Sequence, residues 1–330
     1  MKIFRLILLI LHVGISILLI GIFMNAYVPP KMFPWFNLLS LGFPLLIIAY
    51  TLITIFWIFS LKKRVIVFIL YGLLFINPIK RWINFSSSEK KEVGDLKIVS
   101  FNVKGGEFGK EVIEKYINDS GADIVLLQER GRKGFDFKDL KTNEEIPVVS
   151  LYSKYKIINH KGLIIGDFED FNAYADQTDI EIKGHIYRFV NVYLQPFKFE
   201  KSMVKLHGNE EDEQKLKDIV KRLIPTFKRH QEQIEIIRKA IDNSPYPVIL
   251  AGDFNSVPNS YEYYHLPYGL KDAFFEAGRG SATSFHDYTF PLRIDYVFSS
   301  PSIVPTSYKV DRSVKISDHY PVLTTFKISN

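Results

Sequence analysis

The sequence predicts a layered α/β domain, with two sheets packed face to face, standing behind an N-terminal group of membrane helices. Three observations carry this. The 330-residue chain opens with near-continuous apolar segments as far as residue 83. From Asp95 onward, short runs of strand length alternate with charged segments of helical period, the pattern of layered α/β proteins. Charge divides at the same place: residues 1–92 hold 10 Lys/Arg and 2 Asp/Glu, a net +8, whereas the remainder holds 32 and 34, a net −2.

The pI of about 9.1 therefore belongs to the membrane-proximal part, and the large domain is near neutral. A non-specific duplex binder neutralises many phosphates with a basic face. Overall charge gives no support to that function, and a local basic patch is the remaining route to it. The chain has no Cys, which excludes disulfides, zinc–thiolate sites and a thiol nucleophile. Metal chemistry here must use carboxylate, amide and imidazole groups, a donor set that suits hard cations such as Mg²⁺ or Mn²⁺.

Residues 6–24 are long enough to cross the roughly 30 Å hydrocarbon layer as a helix, and Lys2 and Arg5 precede them. A cleaved signal peptide competes with this reading, but no small-x-small cleavage pattern follows and further apolar sequence does. Pro29, Pro30, Pro34 and Trp35 mark an interfacial turn. Residues 36–59 form a second span, kinked at Pro44, and the Lys62-Lys63-Arg64 cluster marks a cytoplasmic turn. Residues 65–83 supply a third span if the helix continues past Pro78, and otherwise lie along the surface. Three spans with the N-terminus inside place the C-terminal domain outside the cytoplasmic membrane, although Lys80 and Arg81 weigh against that orientation. His12 reads as a packing or interhelical hydrogen-bonding residue. The expected organisation is thus a membrane region over 1–84 with three transmembrane helices, an exposed linker over 85–94 and a single domain over 95–330.

Within that domain, residues 96–101 read as a strand, 110–120 as a helix and 123–127 as a buried strand. Further strands are expected at 156–159, 163–165, 178–182, 188–194, 248–251, 295–298 and 322–328. Residues 210–243 are highly charged, with apolar positions at helical spacing, and predict two helices or one broken at Pro225. Acidic and amide residues sit just beyond apolar strands: Asn102, Glu129, Asp253 with Asn255, and Asp318 with His319, while Asp295 begins a strand. Strand ends can gather such groups around one cleft, where carboxylates bind a divalent ion and nearby donors stabilise a phosphoryl transition state.

In order and spacing, Ser100-Phe101-Asn102-Val103, Leu127-Gln128-Glu129, Gly252-Asp253-Phe254-Asn255, Arg293-Ile294-Asp295-Tyr296 and Ser317-Asp318-His319-Tyr320-Pro321 resemble the endonuclease/exonuclease/phosphatase superfamily of DNase I-like phosphoesterases. The resemblance covers 95–330 and implies a four-layer α/β/β/α sandwich and metal-assisted attack of water on phosphorus. It implies a metal cluster at Glu129 with Asn102 and Asp318, and a water-positioning and phosphoryl-binding pair in Asp253 and Asn255. It further implies that His319 is the imidazole beside the scissile phosphate, oriented by Asp295. One departure stands out: many members carry His where this chain has Tyr193, whose phenol could still hydrogen-bond a phosphate oxygen.

The implied reaction is hydrolysis of phosphate esters, phosphodiesters in particular, with Mg²⁺ or Mn²⁺. Nucleic acid and phospholipid headgroups are both candidate substrates, and the bilayer is the expected partner of the N-terminal helices. A noncatalytic membrane-tethered binding protein is the competing class, kept open by Tyr193. Arg293 divides evenly between a phosphate contact and a packing role. Residues 172–176 and 285–288 are candidate specificity loops, and the aromatic stretch 261–265 is either a groove lining or core.

Overall fold

The computed structural model describes residues 2–85, 94–131, 134–142, 148–167, 171–198, 211–288 and 290–328. The helices are α1 (Lys2–Gly21), α2 (Trp35–Phe59), α3 (Val65–Gly72), α4 (Ile76–Lys80), α5 (Lys110–Ser120), α6 (Glu211–Asp242), α7 (Tyr261–His265) and α8 (Ala273–Ala277). The strands are β1 (Ile83–Asn84), β2 (Leu96–Asn102), β3 (Ile124–Gln128), β4 (Ser150–Ser153), β5 (Lys156–Asp167), β6 (Phe171–Ile182) and β7 (His185–Tyr193), followed by β8 (Val248–Asp253), β9 (Lys271–Asp272), β10 (Gly280–Ser281), β11 (Asp295–Ser299), β12 (Val304–Val310) and β13 (Val322–Lys327).

Strand alternation builds the sandwich. Side chains two apart along a strand share a face. Leu96 and Ile98 of β2 and Ile124 and Leu126 of β3 therefore point one way, into a core shared with Phe189, Ile249, Ala251 and Val297. Their neighbours Val99, Phe101, Val125 and Leu127 point the other way, onto Ile113 and Ile117 of α5. The opposite face of the second sheet packs Val190, Leu250 and Phe298 against Ile234, Ile237 and Ile241 of α6. Helix, five-stranded sheet, six-stranded sheet and helix are thus the four layers. The sheet orders are β12-β13-β2-β3-β4 and β5-β6-β7-β8-β11-β9.

Two expectations change in detail. Helix α6 runs unbroken through Pro225; packing of its apolar stripe on the sheet outweighs the loss of one backbone hydrogen bond. Residues 172–176 form part of β6 and not a loop. Their partners are β5 and β7 on either side, so they have no free edge. Sequence reading also missed β4 and β12, whose partners β3 and β13 complete the five-stranded sheet.

In the N-terminal region two helices, Lys2–Ala26 and Trp35–Phe59, are long and apolar enough to cross a membrane. The third apolar segment, Val65–Lys80, is shorter. It comprises α3, a 3₁₀ turn and α4, spanning about 25 Å at the usual rises. His12 packs as expected, stacked on Phe68 at 3.7 Å and 3.3 Å from the Thr54 hydroxyl.

These helices dock directly on the sandwich. Asn25 and Ser40 side chains donate to the Asn259 carbonyl, and Asn37 donates to both oxygens of Glu262 at 2.8 and 3.0 Å. Asn37 also accepts the Tyr261 amide. Arg81 stacks over Tyr263 and Tyr264 and donates to Asn259. Strand β1 pairs with β10. The stretch 261–265 is therefore partly core, through Tyr261 and Tyr263, and partly docking surface for the N-terminal helices. The expected linker lies outside the described residues over 86–93.

Candidate active site

The periodicity that fills the core also delivers the polar cluster. Asn102, Tyr193, Asp253 and Asp295 have the parity of inward-facing residues, and each stands where its strand leaves the core. Parallel pairing sets Asn102 beside Gln128 and Tyr193 beside Asp253. Antiparallel pairing sets Asp295 directly opposite Asp253. Glu129 follows β3, and Asp318 and His319 precede β13. Every sequence-predicted site residue thus arrives at one end of the sandwich.

Backbone strain accompanies this convergence. Glu129, Asn255 and Lys104 adopt φ of 48°, 44° and 46°, left-handed values that cost non-glycine residues on the order of 1–3 kcal/mol each. Gly252 has φ 138°, and a Cβ there would lie 2.0 Å from the Val192 carbonyl oxygen. Only glycine lets β7 and β8 approach so closely at the level of Asp253.

The hydrogen bonds define a central amide. Asn102 Nδ2 donates to Glu129 Oε1 at 2.9 Å and to Asp253 Oδ2 at 3.0 Å. Its Oδ1 accepts the Lys104 amide, and its carbonyl accepts the Ser317 hydroxyl. The Asn255 amide donates to Asp253 Oδ1 at 2.8 Å, while the Asn255 side chain donates to the Leu194 carbonyl. Behind the cluster, Gln128 donates to Asn191 at 2.7 Å and ties the two sheets together.

His319 is held at both ends. Its Nδ1 lies 2.7 Å from Asp295 Oδ2 and its Nε2 lies 3.7 Å from Asp253 Oδ2. Burial would lower this imidazole, but Asp295 and then Asp253 outweigh it and raise the group to about 10. Asp253 is pushed up to about 8, by burial first and by the Asp295 charge second, with His319 acting against both. Burial, and after it the Glu129 carboxylate, holds the Tyr193 hydroxyl well above its ordinary range.

Lys104 was not flagged by the sequence. Its Nζ lies 2.8 Å from Asp318 Oδ2. Burial acts against Asp318, yet His319 and Lys104 together hold its carboxyl below the usual carboxylate range. The only available signal was position, two residues beyond Asn102 in a glycine-rich turn. Arg293, by contrast, is fully buried on Asp272 at 2.7 Å and on the Arg81 carbonyl. It is structural.

The residues present fit a divalent cation. Asp253, Asp295 and His319 are buried with ligand atoms all within 4.8 Å of one another. Among the described residues, Asp295 Oδ1 is buried with no hydrogen-bond partner. Glu129, Asp253, Asp295 and Asp318 bring carboxylate oxygens to this end of the cavity, with the His319 and Lys104 side chains among them. Carboxylate oxygens in such a cluster suit a hard divalent ion. The tight triad overlaps the expected catalytic set, whereas Glu129 and Asp318 line the adjoining cavity and Asn102 joins the two groups.

That cavity measures about 1050 Å³ and is lined by Lys104, Glu129, Asp253, Asn255, Asp318 and His319 at its polar end. Phe285, Asp287 and Tyr288, from the predicted specificity loop 285–288, line it too.

A family model described as the Endonuclease/Exonuclease/phosphatase family matches residues 99–319, and one described as a domain of unknown function (DUF8431) matches residues 4–82. No curated protein matches the chain. Among solved structures, the fold is similar to humanized D. rerio TDP2 carrying 14 mutations, with 16% identity, a TM-score of 0.52 and coverage of 70% of this chain and 98% of that one. It is likewise similar to D. rerio TDP2 complexed with a single-strand DNA product, with 15% identity, a TM-score of 0.50 and coverage of 70% and 98%. With two thirds of its length matched by the family model and a buried carboxylate–imidazole cluster suited to a divalent ion, the chain belongs to the Endonuclease/Exonuclease/phosphatase family and is a metal-dependent hydrolase of phosphate esters.

Proposed function

We propose that the protein is a membrane-anchored phosphodiesterase using Mg²⁺ or Mn²⁺, in which activated water attacks phosphorus directly. The observation that carries this reading is the buried Asp253–Asp295–His319 cluster, with Glu129 and Asp318 beside it, at the end of a cavity large enough for an ester substrate. A bound cation would offset carboxylate charge there and polarise the phosphoryl oxygens. Glu129, with Asn102 and Asp318, would hold it, beside the Asp253–Asp295–His319 triad and not within it. Asp253 positions water and takes up its proton, a task suited to a carboxyl raised towards neutrality. Asn255 and the His319 cation stabilise charge developing on the phosphoryl oxygens. Asp295 fixes the His319 ring. Tyr193 works from behind Glu129, orienting that carboxylate. A noncatalytic binding role would tolerate loss of these groups, and all of them are present.

We propose further that residues 1–84 lie in the cytoplasmic membrane with the catalytic domain outside. Lys2, Arg5, Lys62, Lys63 and Arg64 flank the helix ends remote from the docking face, as the positive-inside tendency requires. Lys80 and Arg81 oppose this orientation only in number. Arg81 is stacked on Tyr263 and Tyr264, and Lys80 Nζ sits 4.0 Å over the Phe275 ring, so both serve docking. The absence of native Cys makes the topology directly measurable: Lys63→Cys should be shielded from an impermeant thiol reagent in intact cells and Lys271→Cys labelled. The reverse pattern would overturn the orientation. Calorimetric titration of the full chain should show Mg²⁺ or Mn²⁺ binding that Glu129→Ala weakens; unchanged binding would remove Glu129 from the metal set.

A further inference from the structure

We infer that the substrate is a lipid, whose phosphate ester enters the polar cluster while its hydrocarbon chain lies in a trough along α2. This rests on the phosphoesterase reading and names the substrate class of the same site. The cavity that begins at Asp253 and His319 does not close behind them; it continues along the second apolar helix. Leu41, Leu45, Ile48 and Leu52 recur at helical spacing and line one wall. Leu45, Ile48 and Leu52 are 63%, 56% and 62% exposed. The stripe from Leu41 to Leu52 is about 16 Å long, roughly half of the hydrocarbon core that α2 is long enough to cross. Ile79, Trp82, Phe285, Phe290 and Leu292 contribute to the lining.

An occupant of the whole cavity must therefore be anionic at one end and hydrocarbon at the other. A lipid phosphate ester has that form. A nucleic-acid strand is charged at every residue, and no apolar wall suits its continuation. The domain's net charge of −2 gives no overall support for one either. Lys104, beside Asp318, and Lys198 line the cavity and, with His319, are cations placed to meet the phosphate. The docking contacts of Asn25, Asn37, Ser40 and Arg81 hold α2 in register with the cluster, so trough and site form one continuous surface.

The test uses the full chain in detergent micelles with Mg²⁺ or Mn²⁺. Four esters are compared: long-chain phosphatidylglycerol, its water-soluble short-chain homologue, long-chain phosphatidic acid and a single-stranded DNA oligonucleotide. The long-chain diester should exceed its short-chain homologue in kcat/KM by at least about tenfold, the effect of two or three buried methylenes. The phosphatidic acid arm separates monoester from diester lipids. Ile48→Trp and Leu52→Trp, each filling the trough, should cut the long-to-short ratio about tenfold, whereas Ile17→Trp, on α1 outside the trough, should leave it in place.

Equal turnover of long and short chains, a ratio untouched by both filling variants, or preference for DNA would each overturn the lipid assignment. Hydrolysis of none of the four esters by folded protein would instead count against the phosphoesterase reading. Binding of a fluorescent long-chain phosphatidylglycerol to chelated His319→Ala protein then decides the trough separately. Retention weakened by Ile48→Trp supports it, and no binding overturns it.

Discussion

Replacing Asp295 with Asn isolates the charge of the His319 pair while keeping its shape. The two side chains meet at 2.7 Å in a buried setting, and Asp295 is the largest influence raising His319 to about 10 against burial. An imidazole that binds its proton more tightly folded than unfolded stabilises the fold fully below about pH 6.5, and that contribution is lost as pH rises through about 10. Loss of one proton steepens the decline by up to about 1.4 kcal/mol per pH unit. Asp253 acts in the same sense, because an acid raised to about 8 disfavours the folded state progressively above its unfolded value near 3.8.

Asp295→Asn removes the main support of His319 and the like charge beside Asp253. It should cost about 1.5–3 kcal/mol near pH 6, as for a hydrogen bond to a charged group, and flatten the decline at higher pH. Hydrolysis near pH 7.5 should fall about 100-fold or more, with partial recovery towards lower pH as the imidazole reprotonates. The assay is unfolding of chelated full-length protein across pH 6 to 9, paired with a pH–rate profile of the cation-loaded enzyme. Parallel pH dependences in variant and wild type, with activity within about threefold, would refute the charge-pair account.

Chelation should lower the unfolding midpoint more at about pH 9 than at about pH 6, since the carboxylate charge grows as Asp253 ionises; a pH-independent effect of Mg²⁺ would count against a cation at this cluster. Lys104→Ala should reduce kcat/KM about tenfold and Lys104→Glu further, by removing or reversing the charge beside Asp318. Steady-state kinetics with unchanged values in both would exclude a substrate contact. Asn37→Leu leaves buried Glu262 with His230 but without its two amide bonds, and should destabilise the assembly by about 2–3 kcal/mol. Limited proteolysis should then cut between the N-terminal helices and the sandwich faster, and an unchanged pattern would mean that Asn37 contributes nothing to docking.

The strands of the sandwich were legible as short apolar runs, such as Val125-Leu126-Leu127 and Val248-Ile249-Leu250-Ala251, because both of their faces are buried. The parity that turns Asn102, Asp253 and Asp295 inward is seen only in the fold. The candidate site residues were legible because their motifs keep family order. What the sequence hid were relations between segments that no local pattern encodes. Lys104 looks like any turn lysine until Asp318, more than two hundred residues later, is placed beside it. Asn37 and Glu262 are unremarkable singly, and their pairing makes a docking joint of what reads as an aromatic turn. Pro225 signals a break, but one lost hydrogen bond yields to the packing of Ile234, Ile237 and Ile241 on the sheet. Residues 36–59 read only as a second apolar span, and the fold alone shows that Leu41, Leu45, Ile48 and Leu52 line the same cavity as Asp253 and His319.

Hydrolysis of a phosphodiester by the full chain in ¹⁸O-water, with Mg²⁺ or Mn²⁺, tests the central claim most directly. Wild-type protein should place ¹⁸O on the phosphate product and none on the released alcohol, and turnover should vanish with chelator and fall sharply in His319→Ala. Label in the alcohol, or hydrolysis that survives both chelation and His319→Ala, would contradict cation-assisted attack of water on phosphorus at this site.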